Sequence, residues 1–341
     1  LALSATVALG ASPAAETGLQ AYLENRAEPS TALVHAEAGR RGDVWTAVES
    51  FYARRSHRPV WIGDDGRPHR RARKVVAALR GADRHGLDPR LYRPDELTRL
   101  LDRTGRLSDE EANQLEVELT ASLLFYASHL LQGRVSPEDV DRKWYIEPRQ
   151  ADLGEILAAT LERGDRVEDF LDAVAPPHEP YDRLLDALER TRRIARDGGW
   201  PQVPDGPVLE AGDTAEPARL TALIDRFEIG GDLERKTAER LSAGIGRGER
   251  ASGDSEAEAA AAGPVYGDEL AEALRRFQRR HGLTVDGKLG PNSTAALNVT
   301  AEQRARQIEL NLERWRWVPA KRRRRLARCS KRPWRRRRAT M

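Results

Sequence analysis

A mainly α-helical protein is predicted, and three observations predict it. Apolar residues through most of 43–197 recur at helical spacing, turn-forming residues punctuate them at both ends, and no sustained alternation marks a strand. Val44, Val48, Phe51 and Tyr52 follow Asp43, which reads as an N-cap. Arg70–Leu79 forms the next helix, with Gly81 closing it. Pro94 stands where a helix begins. Ser108 and Glu111 spell a capping box before a long run whose apolar face is Leu115, Leu119, Leu123, Tyr126 and Leu130, ending at Gly133. Ser136-Pro137 opens a short helix, Asp165 with Glu168 another, and Tyr181–Arg196 a third, which Gly198-Gly199 terminates.

Residues 201–216 are rich in Pro, Gly and Asp and mark a boundary. Helix returns at Pro217–Phe227, with Leu220, Leu223, Ile224 and Phe227 on one side. Residues 244–264 are low in complexity and read as a mobile loop within the second unit.

The chain has 341 residues, enough for two domains, and its net charge of +3 conceals an uneven distribution. Residues 321–341 hold 12 Lys or Arg and no acid, so the rest carries 45 basic against 54 acidic residues. A nucleic-acid function read from the pI would rest on that segment, which offers charge without base readout. The single cysteine, Cys329, excludes a disulfide framework and a cysteine-built metal site. The histidines lack the spacing of a helical metal site, and no phosphate loop occurs, so no cofactor is expected. Residues 1–15 are apolar and small, like the end of a secretory leader. No apolar run is long enough to span a membrane.

The densest stretch is LRRFQRRHGLTVDGKLGPNSTAAL, residues 274–297. Leu270, Leu274 and Phe277 give one apolar face, and Gly282 suits a left-handed C′ position from which Leu283 folds back onto Phe277. Asp286-Gly287 is a turn signal, and Gly290-Pro291 restarts a helix that continues to Leu297. This spacing of Phe277, Gln278, Gly282, Leu283, Asp286, Gly287, Gly290, Pro291 and Thr294 resembles the peptidoglycan-binding domain, a small three-helix module of cell-wall enzymes. The segment LNVTAEQRARQIELNLERWRWVP resembles the stretch directly after that module in long L,D-transpeptidases that carry a scaffold domain. Thr300 and Gln303 cap it, and Ile308, Leu312 and Trp315 share a face. FYARRSHRPVWI, HGLDPRLY, LLFYASHLLQGRVSP and PYDRLLDALERTRRIARDGGWP resemble the scaffold itself.

The resemblance implies a leader remnant or disordered segment at 1–17, a helical scaffold at 18–200, a peptidoglycan-binding domain at 201–299 and a linking helix at 300–319. It also implies a catalytic domain whose Cys nucleophile, set in S-H-G-C-x-R with an upstream His, forms a thioester that a neighbouring amine resolves. Nothing after Pro319 matches that pattern. Cys329 stands in L-A-R-C-S-K-R with no His beyond His281, and the Arg-rich 320–341 reads as an out-of-frame tail. The expectation is therefore a non-catalytic, peptidoglycan-binding fragment of an exported L,D-transpeptidase, in the periplasm or cell envelope. The alternative is a nonspecific binder of nucleic acid or anionic surfaces through the tail. Gln278, His281, Asp286 and Asn292 are the candidate wall contacts, whereas Phe277, Gly282, Leu283, Gly287, Gly290, Pro291 and Leu297 define the fold.

Overall fold

The computed structural model describes residues 13–25, 31–103, 106–140, 143, 146–247 and 263–319. The helices run α1 (Pro13–Glu24), α2 (Ala38–Arg54), α3 (Arg70–Arg80), α4 (Pro94–Leu101), α5 (Asp109–Gln132), α6 (Pro137–Val140), α7 (Leu153–Glu162), α8 (Val167–Val174) and α9 (Glu179–Arg196). There follow α10 (Pro217–Gly230), α11 (Arg235–Arg247), α12 (Asp268–Arg280), α13 (Pro291–Leu297) and α14 (Ala301–Arg316). Among the described residues there are only isolated β-bridges and no strands, so the mainly α expectation holds.

The first core runs from Leu19 to Val174 and is built around α5. Ser108 and Glu111 form the expected capping box, and Gly133 (φ +87°) ends the helix. The helix is buried on every side from Leu115 to Leu131, not on one face alone. That burial includes two carboxylates. Glu116 accepts the backbone N–H groups of Val60 (2.7 Å), Trp61 (2.8 Å) and Ile62 (2.9 Å), and the Tyr52 hydroxyl. Glu118 accepts those of Thr31 (3.0 Å) and Ala32 (2.8 Å). Each carboxylate thus satisfies the donors of a non-repetitive segment that has no ladder of its own.

The remaining helices pack around α5. Gly154 lets α7 approach α2 closely: a Cβ there would lie 2.4 Å from the Ala47 carbonyl oxygen. Arg149 donates to the Leu130 and Leu131 carbonyls at the end of α5 and to Val174 and Ala175 at the end of α8. One guanidinium therefore serves two helix C-termini, where carbonyls lack helical partners and the dipoles favour a cation.

Several sequence expectations need correction. Asp43 is inside α2, which starts at Ala38 behind Glu37. The helix α8 begins at Val167, with Asp169 bonded back to Arg166, so Asp165 and Glu168 do not cap it. The helix α11 occupies 235–247, so 244–247 of the expected loop are helical, and 248–262 of it lie outside the described residues. The second unit therefore has four described helices rather than three. Residues 1–12, 248–262 and 320–341, with Cys329, lie outside the described residues.

The second core spans Val203 to Leu297. A third joins α9 to α14, with Tyr181 and Leu188 against Ala305, Ile308 and Leu312. These two helices run antiparallel: Arg192 meets Glu309 (2.7 Å), and His178 packs on Trp315. The linking helix is therefore half of a hairpin, and the second unit is inserted between the halves.

The far end of α14 is fixed to the first unit. Glu313 accepts the backbone N–H groups of Arg134 and Val135, and Trp317 donates to the Val135 carbonyl (3.1 Å). Arg316, 1% exposed, donates to the His85 carbonyl and pairs with Glu313. Gly133 is required beneath this contact, because a Cβ would meet the Trp317 indole nitrogen at 2.6 Å.

Candidate functional site

The second unit places its functional loop between α12 and α13. Leu270, Leu274 and Phe277 bury the inner face of α12. Gly282 (φ +68°) follows the C-cap, and the Leu283 N–H reaches the Gln278 carbonyl (2.9 Å), the six-to-one bond of a Schellman ending. Leu283 packs against the second core. Gly287 (φ +76°) supplies the tight turn. Gly290 then caps α13, with Pro291 at its first position and Leu297 buried.

Gln278 organises this loop from inside. Its side chain is enclosed, with the residue 1% exposed. Its amide nitrogen donates to Asp286 Oδ1 (2.8 Å) and Ser293 Oγ (3.1 Å), and its oxygen accepts from the Asp286 (3.1 Å) and Gly287 (2.9 Å) N–H groups. All its bonds therefore close within the loop, which corrects its assignment as a sugar contact. Asp286 is exposed but also accepts the Lys288 N–H (2.9 Å), and this donor, together with Gln278, holds its carboxyl below the usual range. His281 stacks on Phe277 at 3.9 Å between ring centroids, with Nδ1 2.9 Å from the Phe277 carbonyl oxygen. Asn292 and Pro291 are exposed at the start of α13. Val208, 51% exposed, flanks Gly290, so the loop surface combines an apolar edge with an amide.

The pairing of Leu209 with Leu289, the Tyr266 hydroxyl bonded to the Gly287 carbonyl and the ion pair of Lys288 with Glu210 (2.7 Å) hold the loop to the preceding chain. A second surface of the same unit, a groove of about 520 Å³, is lined by Asp232, Glu234, Glu269, Glu272 and Arg276. Nothing in the motif spacing pointed to it, because it is formed by the turn between α10 and α11 facing the outer side of α12.

Burial, against the bond to Phe277 and with help from Arg304, Arg280 and Arg226, lowers the His281 pKa to about 4. The unfolded chain, near 6.5, then binds a proton between pH 4 and 6.5 that the folded unit refuses. The stabilising contribution of neutral His281 is complete above pH 6.5 and is lost as the pH falls. At pH 5 the loss amounts to about 2 kcal/mol. Wild type and His281→Gln should therefore differ in stability by about that much more at pH 7 than at pH 5. Urea unfolding at the two pH values checks this, and parallel pH profiles would refute it.

The unit is joined to the first by side chains at the hairpin mouth. Trp200 Nε1 donates to the Val299 carbonyl (3.0 Å), and Arg226 lies 3.8 Å above the Trp200 ring while donating to the Leu297 carbonyl (3.0 Å). Asn298 bonds both the N–H (2.8 Å) and the carbonyl (2.9 Å) of Val203.

Comparison with protein families gives the two units their class. Residues 46–188, from α2 into α9, match the model of the Scaffold domain. Residues 258–297, ending with α13, match that of a peptidoglycan binding domain. The first unit is thus similar to a Scaffold domain and the second to a peptidoglycan binding domain. Comparison with curated proteins gives no match. Among the described residues no helix is long and apolar enough to cross a membrane.

Proposed function

We propose that the chain is the non-catalytic, wall-anchoring part of an exported L,D-transpeptidase. In this reading the inserted domain holds peptidoglycan and the scaffold carries it at a fixed position. The observation that carries the proposal is the loop of 282–292, whose turns match the family pattern and whose architecture is complete. Of the four wall contacts expected from the sequence, Asn292 is the one whose side chain is exposed with no bond inside the loop, and Asp286 is exposed beside it. An amide next to the apolar edge of Val208 and Pro291 suits an N-acetylated sugar, which presents a methyl beside an amide.

Purified sacculi incubated with the chain at low salt should retain it, and Asn292→Ala should weaken retention about threefold to tenfold. Unchanged retention with Asn292→Ala and loss with Glu272→Ala would move the contact to the 520 Å³ groove. Retention lost on removing 320–341 would instead favour the charge of that segment. Absence of retention would reject the proposal.

A further inference from the structure

The sequence holds four Asp-Gly pairs, Asp65-Gly66, Asp197-Gly198, Asp205-Gly206 and Asp286-Gly287, and no Asn-Gly pair. Such a bond rearranges without a catalyst. The glycine nitrogen attacks the aspartyl Cγ, and the new C–N bond closes a five-membered ring. The carboxyl gives up a hydroxyl, which leaves as water with the N–H proton. Solvent water then reopens the ring. Attack at the side-chain carbonyl restores aspartate, and attack at the backbone carbonyl gives isoaspartate, whose chain runs through the side chain and is one methylene longer. Glycine resists least, because it puts no Cβ in the path of the ring. By residue type the four pairs are equivalent, so their surroundings decide between them.

Two pairs are clamped on both sides. Asp65 Oδ1 accepts the Arg67 N–H (3.0 Å), and the Gly66 N–H donates to the Gly63 carbonyl (2.8 Å). Asp286 Oδ1 is held by the Lys288 N–H and the Gln278 amide, and Gln278 Oε1 takes the Gly287 N–H. Both of these glycines are buried. Carboxyl and attacking nitrogen are each fixed there, and the ring cannot close until those bonds break. A third pair is held on one side, where the Gly198 N–H reaches the Ala195 carbonyl (3.3 Å) at the end of α9. At the fourth, Asp205 and Gly206 are both exposed. Among the described residues no hydrogen bond engages the Asp205 carboxylate or the Gly206 N–H.

We propose that Asp205 is the residue at which the folded chain isomerises, and that the rearranged backbone displaces Val208. Val203 is bonded to Asn298, and Leu209 pairs with Leu289, so 204–208 is a short bridge held at both ends. Arg219 Nη1 also holds the Pro207 carbonyl (2.7 Å). One added methylene before Gly206 bows this bridge and carries Val208 away from Gly290, which its side chain now approaches to 3.9 Å of a Cβ position. The effect of that displacement on wall binding rests on the function proposed above, whereas the chemistry at Asp205 does not.

The full chain, kept for weeks in warm neutral buffer, digested and mapped by electron-transfer fragmentation, tests the assignment. The chemistry is slow beside loop opening, so each rate follows the open population of its site, and isoaspartate should gather at 205 at least about tenfold faster than at 65 or 286, with 197 between. In urea the four rates should converge. Gln278→Ala should raise the rate at 286 toward that at 205 without moving 65. Asp205→Glu, whose longer side chain needs a six-membered ring, should form no isomer at 205. Once most of 205 has converted, sacculi should retain aged wild type about threefold less than aged Asp205→Glu. Four equal rates in the folded chain, or fastest conversion at 65, 197 or 286, would overturn the assignment. Equal retention of the two aged proteins would overturn the displacement of Val208. Absence of retention in fresh protein would reject the wall-binding reading instead, and the four rates would still decide the chemistry at Asp205.

Discussion

Glu116→Ala is expected to destabilise the Scaffold unit by about 3–5 kcal/mol, lowering its melting temperature by roughly 10 °C. The substitution leaves the N–H groups of Val60, Trp61 and Ile62 without the acceptor that now receives all three. It also frees the Tyr52 hydroxyl from the carboxylate, although Thr120 Oγ1 remains within 2.7 Å. A cavity of about 260 Å³ reaches Glu116, and water entering it would recover part of the loss. Burial raises the folded carboxyl to about 7, against the donors that favour its charge. Because that value lies above the unfolded one, the contribution of this group is greatest below about pH 4.5 and declines as the pH rises through 7. Chemical denaturation at pH 5 and 8 should show this decline in the wild type and not in Glu116→Ala. A loss below about 1 kcal/mol at both pH values would show that the carboxylate does not hold the 60–62 segment.

Gln278→Ala is expected to cost the peptidoglycan-binding unit about 2–4 kcal/mol and to abolish sacculus retention. The side chain bonds Asp286, Gly287 and Ser293, so its removal opens a buried hole and releases the turn that Asn292 and Asp286 depend on. Limited proteolysis should cut at 283–290 in the variant, while α5 keeps its protection in hydrogen exchange. Lost retention with the loop intact would instead make Gln278 a direct ligand contact, against its enclosed position.

The legible parts of the structure are those whose physics is local. The capping boxes at Ser108–Glu111 and Thr300–Gln303, the positive φ of Gly282 and Gly287, and the restart at Gly290-Pro291 all appear where the residue types require them. Asp152 bonded to the Glu155 N–H is an equally local signal for α7, which has no counterpart in the sequence expectations. What could not be read depends on distant chain. Glu116 and Glu118 look like solvent-facing charges on a long helix, and only the arrival of 60–62 and 31–32 makes them interior acceptors. Arg40 likewise looks ordinary in a run of charged residues until α5 and the approach to α7 enclose it. In α11 the apolar positions Ala238, Leu241 and Ile245 are too few to stand out from their charged neighbours. In the loop, the candidate residues were found by position. Which of them face inward depends on Gln278, whose eight-residue reach to Asp286 needs the folded turn.

The insertion of one domain between α9 and α14 also has a mechanical consequence. A single flexible tether lets a wall-bound domain swivel and peel its partner away one contact at a time. Here two chain crossings leave side by side, at Trp200 and Val299, and tension on the inserted domain is divided between two roots. It enters the hairpin as shear along two antiparallel rods, of which α14 is fastened at its far end to the first unit at His85 and Val135. Such a linkage transmits orientation as well as attachment, so turning the anchored domain turns the scaffold with it.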